Sequence, residues 1–268
     1  MKIFVDTADL EEIKKYLSWG VCDGVTTNPT ICLKCGVKGG IEGVKKRTVE
    51  IARLIAPRPV SAEVTSEDPK EILFQGRECA RLAENVAVKV PITDRHGNSM
   101  LSVIRKLVSE GIRINVTAMT TYNQAILAAK AIEAGLKINT AKQPHFISIF
   151  GGRISEEQGV ERACQVIKRT RNWLDFHGVK GIEIIVGSVR SVETFELWSR
   201  TGAHVLTVPP EVLAKLLTGA RTKETVAQFI DDDRKSIAEF IKQNQQMKDS
   251  KHPSKHPIEG SKQGEGGR

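Results

Sequence analysis

Three ionisable residues stand in or at the end of short, largely apolar runs. Asp6 follows Lys-Ile-Phe-Val, Glu63 follows Val-Ser-Ala, and Lys89 sits inside Val-Ala-Val-Lys-Val-Pro. An ammonium within an apolar stretch is costly to desolvate. Burial lowers a lysine's pKa and frees the amine to attack a carbonyl, so Lys89 reads as a Schiff-base nucleophile. The competing reading is a strand-end lysine whose head snorkels to water. A lysine with two carboxylates and no evident metal cluster fits carbonyl chemistry through an iminium ion. The protonated imine draws electrons, an adjacent C–C bond breaks, and one carboxylate removes a hydroxyl proton. The other shuttles protons while the imine forms and hydrolyses.

These residues need elements that bring them together. Strand-like runs at 2–6, 24–28, 60–65, 86–91, 113–118, 145–150, 183–188 and 204–208 alternate with helical patterns. The helical stretches are 8–18, 41–55, 67–83, 99–110, 121–134, 156–176, 190–200, 210–218 and 223–246. This order predicts an α/β fold, a (β/α)8 TIM barrel with an additional C-terminal helix. A doubly wound sheet is the rival, but no GxGxxG follows the first strand. Alternation along each strand then turns one set of side chains inward. Asp6, Glu63, Lys89, Asn115 and Thr117 point inward, strand two places Thr26 and Asn28 on one face, strand six places Ser148 and Phe150 on a common face, and strand seven ends in Ser188. All fall near C-terminal strand ends, where barrels build their sites. Arg153 and Arg190 lie just beyond strands six and seven and suit a phosphate held with Ser188; an ordinary surface ion pair is the other reading of each.

The bulk numbers narrow the class. The 268 residues carry a net charge of +8, which fits nucleic acid or anionic metabolites. Aromatic residues make up only 5% of the chain and the cations are scattered, so stacking platforms for nucleic acid are scarce. The last 22 residues, 247–268, hold five basic and three acidic residues, so +6 belongs to the rest. That tail repeats Lys-His-Pro and ends in a Gly/Ser/Lys-rich stretch, and reads as disordered. The expected organisation is one barrel domain over 1–246 and a basic tail over 247–268. No apolar run reaches the ~20 residues of a membrane span, and the start of the chain goes straight into a strand, so the expected location is the cytoplasm. Five cysteines, at 22, 32, 35, 79 and 164, are too few and too scattered for a disulfide framework. Cys32 and Cys35 form one CxxC, but no second pair or histidines complete a zinc site. Packed thiols or a thioredoxin-like pair remain the two readings.

The residues also resemble a known family. KIFVDTADLEEIKK at 2–15, DGVTTNPT at 23–30, SAEVTSED at 61–68, VAVKVPIT at 86–93 and GIRINVTAM at 111–119 are similar to transaldolases, in the small subfamily that includes fructose-6-phosphate aldolases. So are FISIFGGRI at 146–154, IIVGSVRS at 184–191 and GAHVLTVPPEVL at 202–213. The resemblance implies Lys89 as nucleophile, Asp6 as acid/base for C–C cleavage, and Glu63 with Thr117 around a catalytic water. It implies that Asn28 and Asn115 bind substrate hydroxyls, and that Ser188, Arg190 and Arg153 bind phosphate. It further implies sugar phosphate substrates, no cofactor, no metal, and a homo-oligomer of five or ten subunits. Aldolase members of the family have Gln where this chain has Glu63 and Tyr where it has Phe150, so the chain looks like the transaldolase side. Such an enzyme moves a dihydroxyacetone unit from a ketose phosphate such as fructose 6-phosphate to an aldose phosphate such as erythrose 4-phosphate. The alternatives are an aldolase-type lyase and a transaldolase of a modified anionic sugar.

Two segments depart from the family pattern. After Pro91 the chain reads ITDRHGNSMLSV where a shorter Thr-x-Glu-Gly-Leu turn is usual. The extra residues belong at the barrel mouth, where His96 and Asn98 either touch substrate or simply lengthen a loop. Ser-Ile-Phe-Gly-Gly-Arg at 148–153 replaces the usual Ser-Pro-Phe-Val-Gly-Arg.

Overall fold

A computed structural model describes residues 1–139 and 143–251. Eight parallel strands close into a barrel in sequence order. They are β1 (Lys2–Asp6), β2 (Gly24–Thr26), β3 (Val60–Glu63), β4 (Val86–Pro91), β5 (Ile114–Met119), β6 (His145–Phe150), β7 (Ile182–Gly187) and β8 (Val205–Val208). The barrel lies in a compact unit, Met1–Leu216; a second unit starts at Leu217. The sequence reading had extended the barrel domain to 246.

Alternation sorts the strand residues into two cores. The outward set includes Val5, Val25, Ala62, Val86, Val88, Val90, Ile114, Val116, Ile147, Ile149, Ile184 and Val186, all buried in the main apolar core. A separate small cluster of Phe4, Ala87, Phe146, Ile185 and Val205 fills the barrel floor. There Phe4 and Phe146 meet edge to face at 5.6 Å, and the Arg113 guanidinium lies 4.7 Å from the Phe146 ring. Phe4 also dictates its neighbour, since a β-carbon on Gly24 would come within 2.7 Å of its ring.

The helices of this unit are α1 (Leu10–Ser18), α2 (Pro29–Lys34), α3 (Gly40–Ile55), α4 (Pro69–Ala80), α5 (Leu101–Ser109), α6 (Tyr122–Leu136), α7 (Gly151–Gln158), α8 (Val160–Phe176), α9 (Val192–Ser199) and α10 (Pro210–Leu216). Two boundaries differ from the sequence reading for local reasons. Strand β2 stops at Thr26, not 28, because Asn28 caps α2 by accepting from the Ile31 N–H, and Pro29 takes the first helical position. The helix expected from 156 begins at Gly151 and is broken by Gly159 at φ +88°. In the second unit, α11 (Ala220–Lys251) is longer than the expected 223–246. The tail expected from 247 therefore starts as helix; residues 252–268, with His252 and His256, lie outside the described residues. No helix among the described residues is long and apolar enough to cross a membrane.

Two histidines tie off the lower strand ends. His145 Nδ1 accepts from the Ile114 N–H at 3.1 Å, and His204 Nδ1 accepts from the Ile184 N–H at 2.9 Å. Each must be neutral at that nitrogen to accept. Burial, reinforced by Arg113, holds the His145 pKa down to about 4. The unfolded chain therefore takes up this proton at higher pH than the fold does. His145 costs nothing above about pH 6.5 and destabilises progressively as pH falls towards 4, by about 3 kcal/mol at the end. Replacing it with Asn, which keeps an acceptor but cannot titrate, should flatten this part of the stability profile. Urea midpoints across pH 7 to 4 check it; an equally steep fall in His145→Asn would refute the assignment.

Candidate active site

The inward residues above the apolar floor form a polar layer. Register sets Glu63 opposite Lys89, and Lys89 opposite Asn115. The Lys89 side chain is 6% exposed, and its Nζ lies 3.0 Å from Glu63 Oε2. Nζ also donates to the Thr27 carbonyl at 3.0 Å. The ammonium thus meets one carboxylate on β3 and one carbonyl a residue past β2. Asp6, on β1, accepts from Thr26 Oγ1 at 2.5 Å. Thr26 is itself hydrogen-bonded to Thr207 on β8. Burial raises the Asp6 pKa above the ordinary carboxylate value. The Thr26 hydrogen bond and the Lys89 charge oppose that rise, while Glu211 in α10 and Glu63 add to it.

On the other side of Lys89, Asn115 is fully buried and used at both ends. Its Nδ2 donates to Ser61 Oγ at 3.0 Å, and its Oδ1 accepts from Ser148 Oγ at 2.7 Å. The three side chains brace β3, β5 and β6 against one another. Thr117, one inward step higher on β5, is buried with no partner for its hydroxyl. An unpaired buried hydroxyl calls for a water or ligand atom. Just after it, Ala118 adopts φ +62° where the β5–β6 register shifts. Asn28 spends its Oδ1 on the α2 cap, which leaves the amide NH2 as its group for a ligand.

A second group of polar side chains lies at the ends of β6 and β7. Phe150 ends β6 and packs over Gly187; a β-carbon there would sit 3.5 Å from the ring. Ser188 follows β7 at φ +63°, and its Oγ accepts from Arg190 Nε at 3.3 Å. Arg190 also pairs with Glu156, and Arg153 Nη1 lies 3.7 Å from the same carboxylate. Helix α7 starts here with no side-chain cap, so its first N–H groups face the same end of the barrel. Of the two glycines that open it, Gly151 makes room for Trp198, whose ring a β-carbon would approach to 2.8 Å. The unusual Gly at 151 is therefore matched by a local aromatic.

Direct contacts join these residues in separate groups: Asp6 with Thr26, Glu63 with Lys89, Asn115 with Ser61 and Ser148, and Ser188 with Arg190 and Glu156. Cavities adjoin Glu63 on two sides. One of about 610 Å³ includes Asn28, Cys32 and Cys79; one of about 230 Å³ lies beneath the 93–99 loop. In that loop Asp94 accepts from the His96 and Asn98 N–H groups and from Asn98 Nδ2, so Asn98 serves the loop itself. Arg95 pairs with Glu67. Cys32 and Cys35 are free thiols in and beside α2, with Cys32 buried. Burial pushes Cys79 up to about 12. Among the described residues no three His, Cys, Asp or Glu side chains group to hold a metal.

Comparison with known proteins gives the family. The profile of the family Transaldolase/Fructose-6-phosphate aldolase matches residues 3–255. The chain belongs to that family. It is 36% identical over 245 residues to a probable transaldolase of Rhodospirillum centenum, covering 91% of this chain and 95% of that one. A probable transaldolase of Dehalococcoides mccartyi is 37% identical over 236 residues, 87% of this chain and 97% of that one. Among solved structures, a 3-hexulose-6-phosphate synthase superposes with a TM-score of 0.52 at 15% identity, over 78% of this chain and 90% of that one. That likeness concerns the barrel alone.

Several site residues escaped the sequence reading. Ser61 and Thr207 are inward by the same alternation that singled out Glu63, and a strict count along β3 and β8 finds them. The Thr27 carbonyl carries no side-chain signal. Gly152 was read as part of a loop, yet a β-carbon there would overlap the Ser188 carbonyl and approach its hydroxyl to 2.5 Å. Gly152→Ala should push Ser188 away and destabilise the protein by about 2 kcal/mol, as overpacking does. A wild-type midpoint in urea denaturation would show that the contact is not tight.

Proposed function

We propose that this transaldolase-family enzyme transfers a dihydroxyacetone unit between sugar phosphates through a Schiff base on Lys89. The observation that carries the reading is the Lys89–Glu63 pair at 3.0 Å, buried beside Asp6. Glu63 takes a proton from the ammonium, and the freed amine attacks the ketose carbonyl. The carbinolamine loses water to give the iminium ion; Glu63 supplies and recovers the protons, with a water held at the Thr117 hydroxyl. Asp6 takes the proton of the substrate hydroxyl, the neighbouring C–C bond breaks, and its electrons move into the iminium to give an enamine. The first aldehyde leaves. An acceptor aldehyde then takes the enamine's electrons, Asp6 returns its proton, and water releases the new ketose. Arg153, Ser188 and Arg190 hold the phosphate, while Asn28 binds substrate hydroxyls. A ring of five or ten subunits is the proposed assembly.

Borohydride reduction in the presence of fructose 6-phosphate should fix a stable adduct that peptide mass mapping finds on Lys89. Lys89→Ala should abolish trapping and cut kcat by more than about a thousandfold while the barrel stays folded by circular dichroism. An adduct in that variant would refute the assignment.

Transfer requires the enamine to wait for an acceptor. Phe150 brings a ring without a hydroxyl to the mouth, so it offers no proton to the carbanion. Phe150→Tyr should raise release of free dihydroxyacetone relative to transfer, measured by product analysis with and without acceptor. An unchanged ratio would count against this role and leave the aldolase reading unseparated from the transferase by this residue.

A further inference from the structure

Both arginines assigned to phosphate already face an anion. Glu156, one turn after Arg153 on α7, pairs with Arg190 through Oε1 and stands 3.7 Å from Arg153 Nη1 through Oε2. Arg190 in turn donates to Ser188, so Ser188, Arg190 and Glu156 form a chain across the loop ends of β6 and β7. We infer that Glu156 is a resident anion at the head-group subsite, and that a substrate phosphate binds Arg190 only by displacing it. This rests on the phosphate reading given above and adds the residue that sets its affinity threshold.

The argument is one of competition. Glu156 takes Nη1 and Ser188 takes Nε, so each two-pronged edge of the Arg190 guanidinium already has one donor in use. The arginine and glutamate side chains are each about half exposed, 48% and 47%, so solvent and an incoming anion reach them. Glu156 can therefore turn out to water when displaced, which relieves its repulsion with the newcomer. A singly charged carboxylate or sulfonate gains little over the anion it replaces. A phosphate dianion gains from Arg190, Arg153 and the uncapped N–H groups of α7 together. Glu156 thus sets a threshold that weakens every anion alike, so that only one engaging several of these groups at once binds well over it. It touches the binding arginines rather than the reacting atoms, so its removal should alter KM and leave kcat.

Isothermal titration with inorganic phosphate tests this on the full chain, alongside Glu156→Gln, Glu156→Ala and Arg190→Ala. Both Glu156 variants should bind phosphate roughly fivefold more tightly, lower the KM for fructose 6-phosphate by a similar factor, and keep kcat. Sulfate and acetate should gain by a similar factor, because each must displace the same carboxylate. Arg190→Ala should lose phosphate binding. Unchanged or weaker phosphate binding in both Glu156 variants, with loss in Arg190→Ala, would overturn the inference and leave the phosphate subsite intact. No phosphate binding by the wild type and none by the Glu156 variants would remove the subsite and the inference together.

Discussion

One ammonium held out of water governs the upper barrel. Lys89 is enclosed on nearly all sides, and a buried charge is tolerated only when paired and hydrogen-bonded. The partners are the Thr27 carbonyl, one residue past β2, and the Glu63 carboxylate on β3. Their positions follow from parallel register, which sets Glu63 level with Lys89. A register slip of one residue would turn Lys89 into the outer apolar layer among Val86, Val88 and Val90. Removing one partner of such a pair costs about 3–5 kcal/mol, whereas the whole pair adds little to stability. The arrangement is thus explained by chemistry rather than by folding energy.

The floor makes that arrangement possible. Phe4, Ala87, Phe146, Ile185 and Val205 close the barrel below the polar layer. Above them each polar side chain either braces another or is left open. The Ser61–Asn115–Ser148 chain braces, because both ends of the amide are spent. The Thr207–Thr26–Asp6 chain braces a carboxylate whose pKa burial has raised. Thr117 alone among these hydroxyls is open, and it stands one inward step above Asn115 on the strand beside Lys89. Rigid neighbours and one vacant hydroxyl together define where a reacting water or oxygen has a partner.

Most of the barrel was legible because alternation is a local property. Val86, Val88 and Val90 announce the outer face, and the side on which Lys89 must fall follows at once. All eight strands were located, as short apolar runs, with β2 and β3 each overextended by two residues. What local pattern could not supply was the role of the turns. Asn28-Pro29 looked like a strand end, yet it is a helix cap and first turn, a signal that competes with strand propensity in the same dipeptide. Gly151-Gly152 fell between an expected strand and an expected helix, yet each glycine answers a side chain far along the chain, Trp198 and Ser188, which only the closed barrel brings near. Glu156 was read as the first residue of a surface helix. Its pairing with Arg190, 34 positions on, depends on β6 and β7 being neighbours.

The two non-glycine residues in the left-handed region, Ala118 and Ser188, show how the site is aimed. Such a conformation costs of order 1 kcal/mol each and persists only where the surroundings impose it. Ala118 lies where β5 slips against β6, directly after Thr117, so the bend fixes the strand end that carries the open hydroxyl. Ser188 turns the chain at the end of β7 so that its hydroxyl meets Arg190 and its backbone crowds Gly152 at the start of α7. A right-handed residue at 188 would carry the chain elsewhere and separate the serine from the helix start. The strain at these two positions therefore falls at the end of β5, beside the unpaired Thr117 hydroxyl, and at the end of β7, where Ser188 meets Arg190.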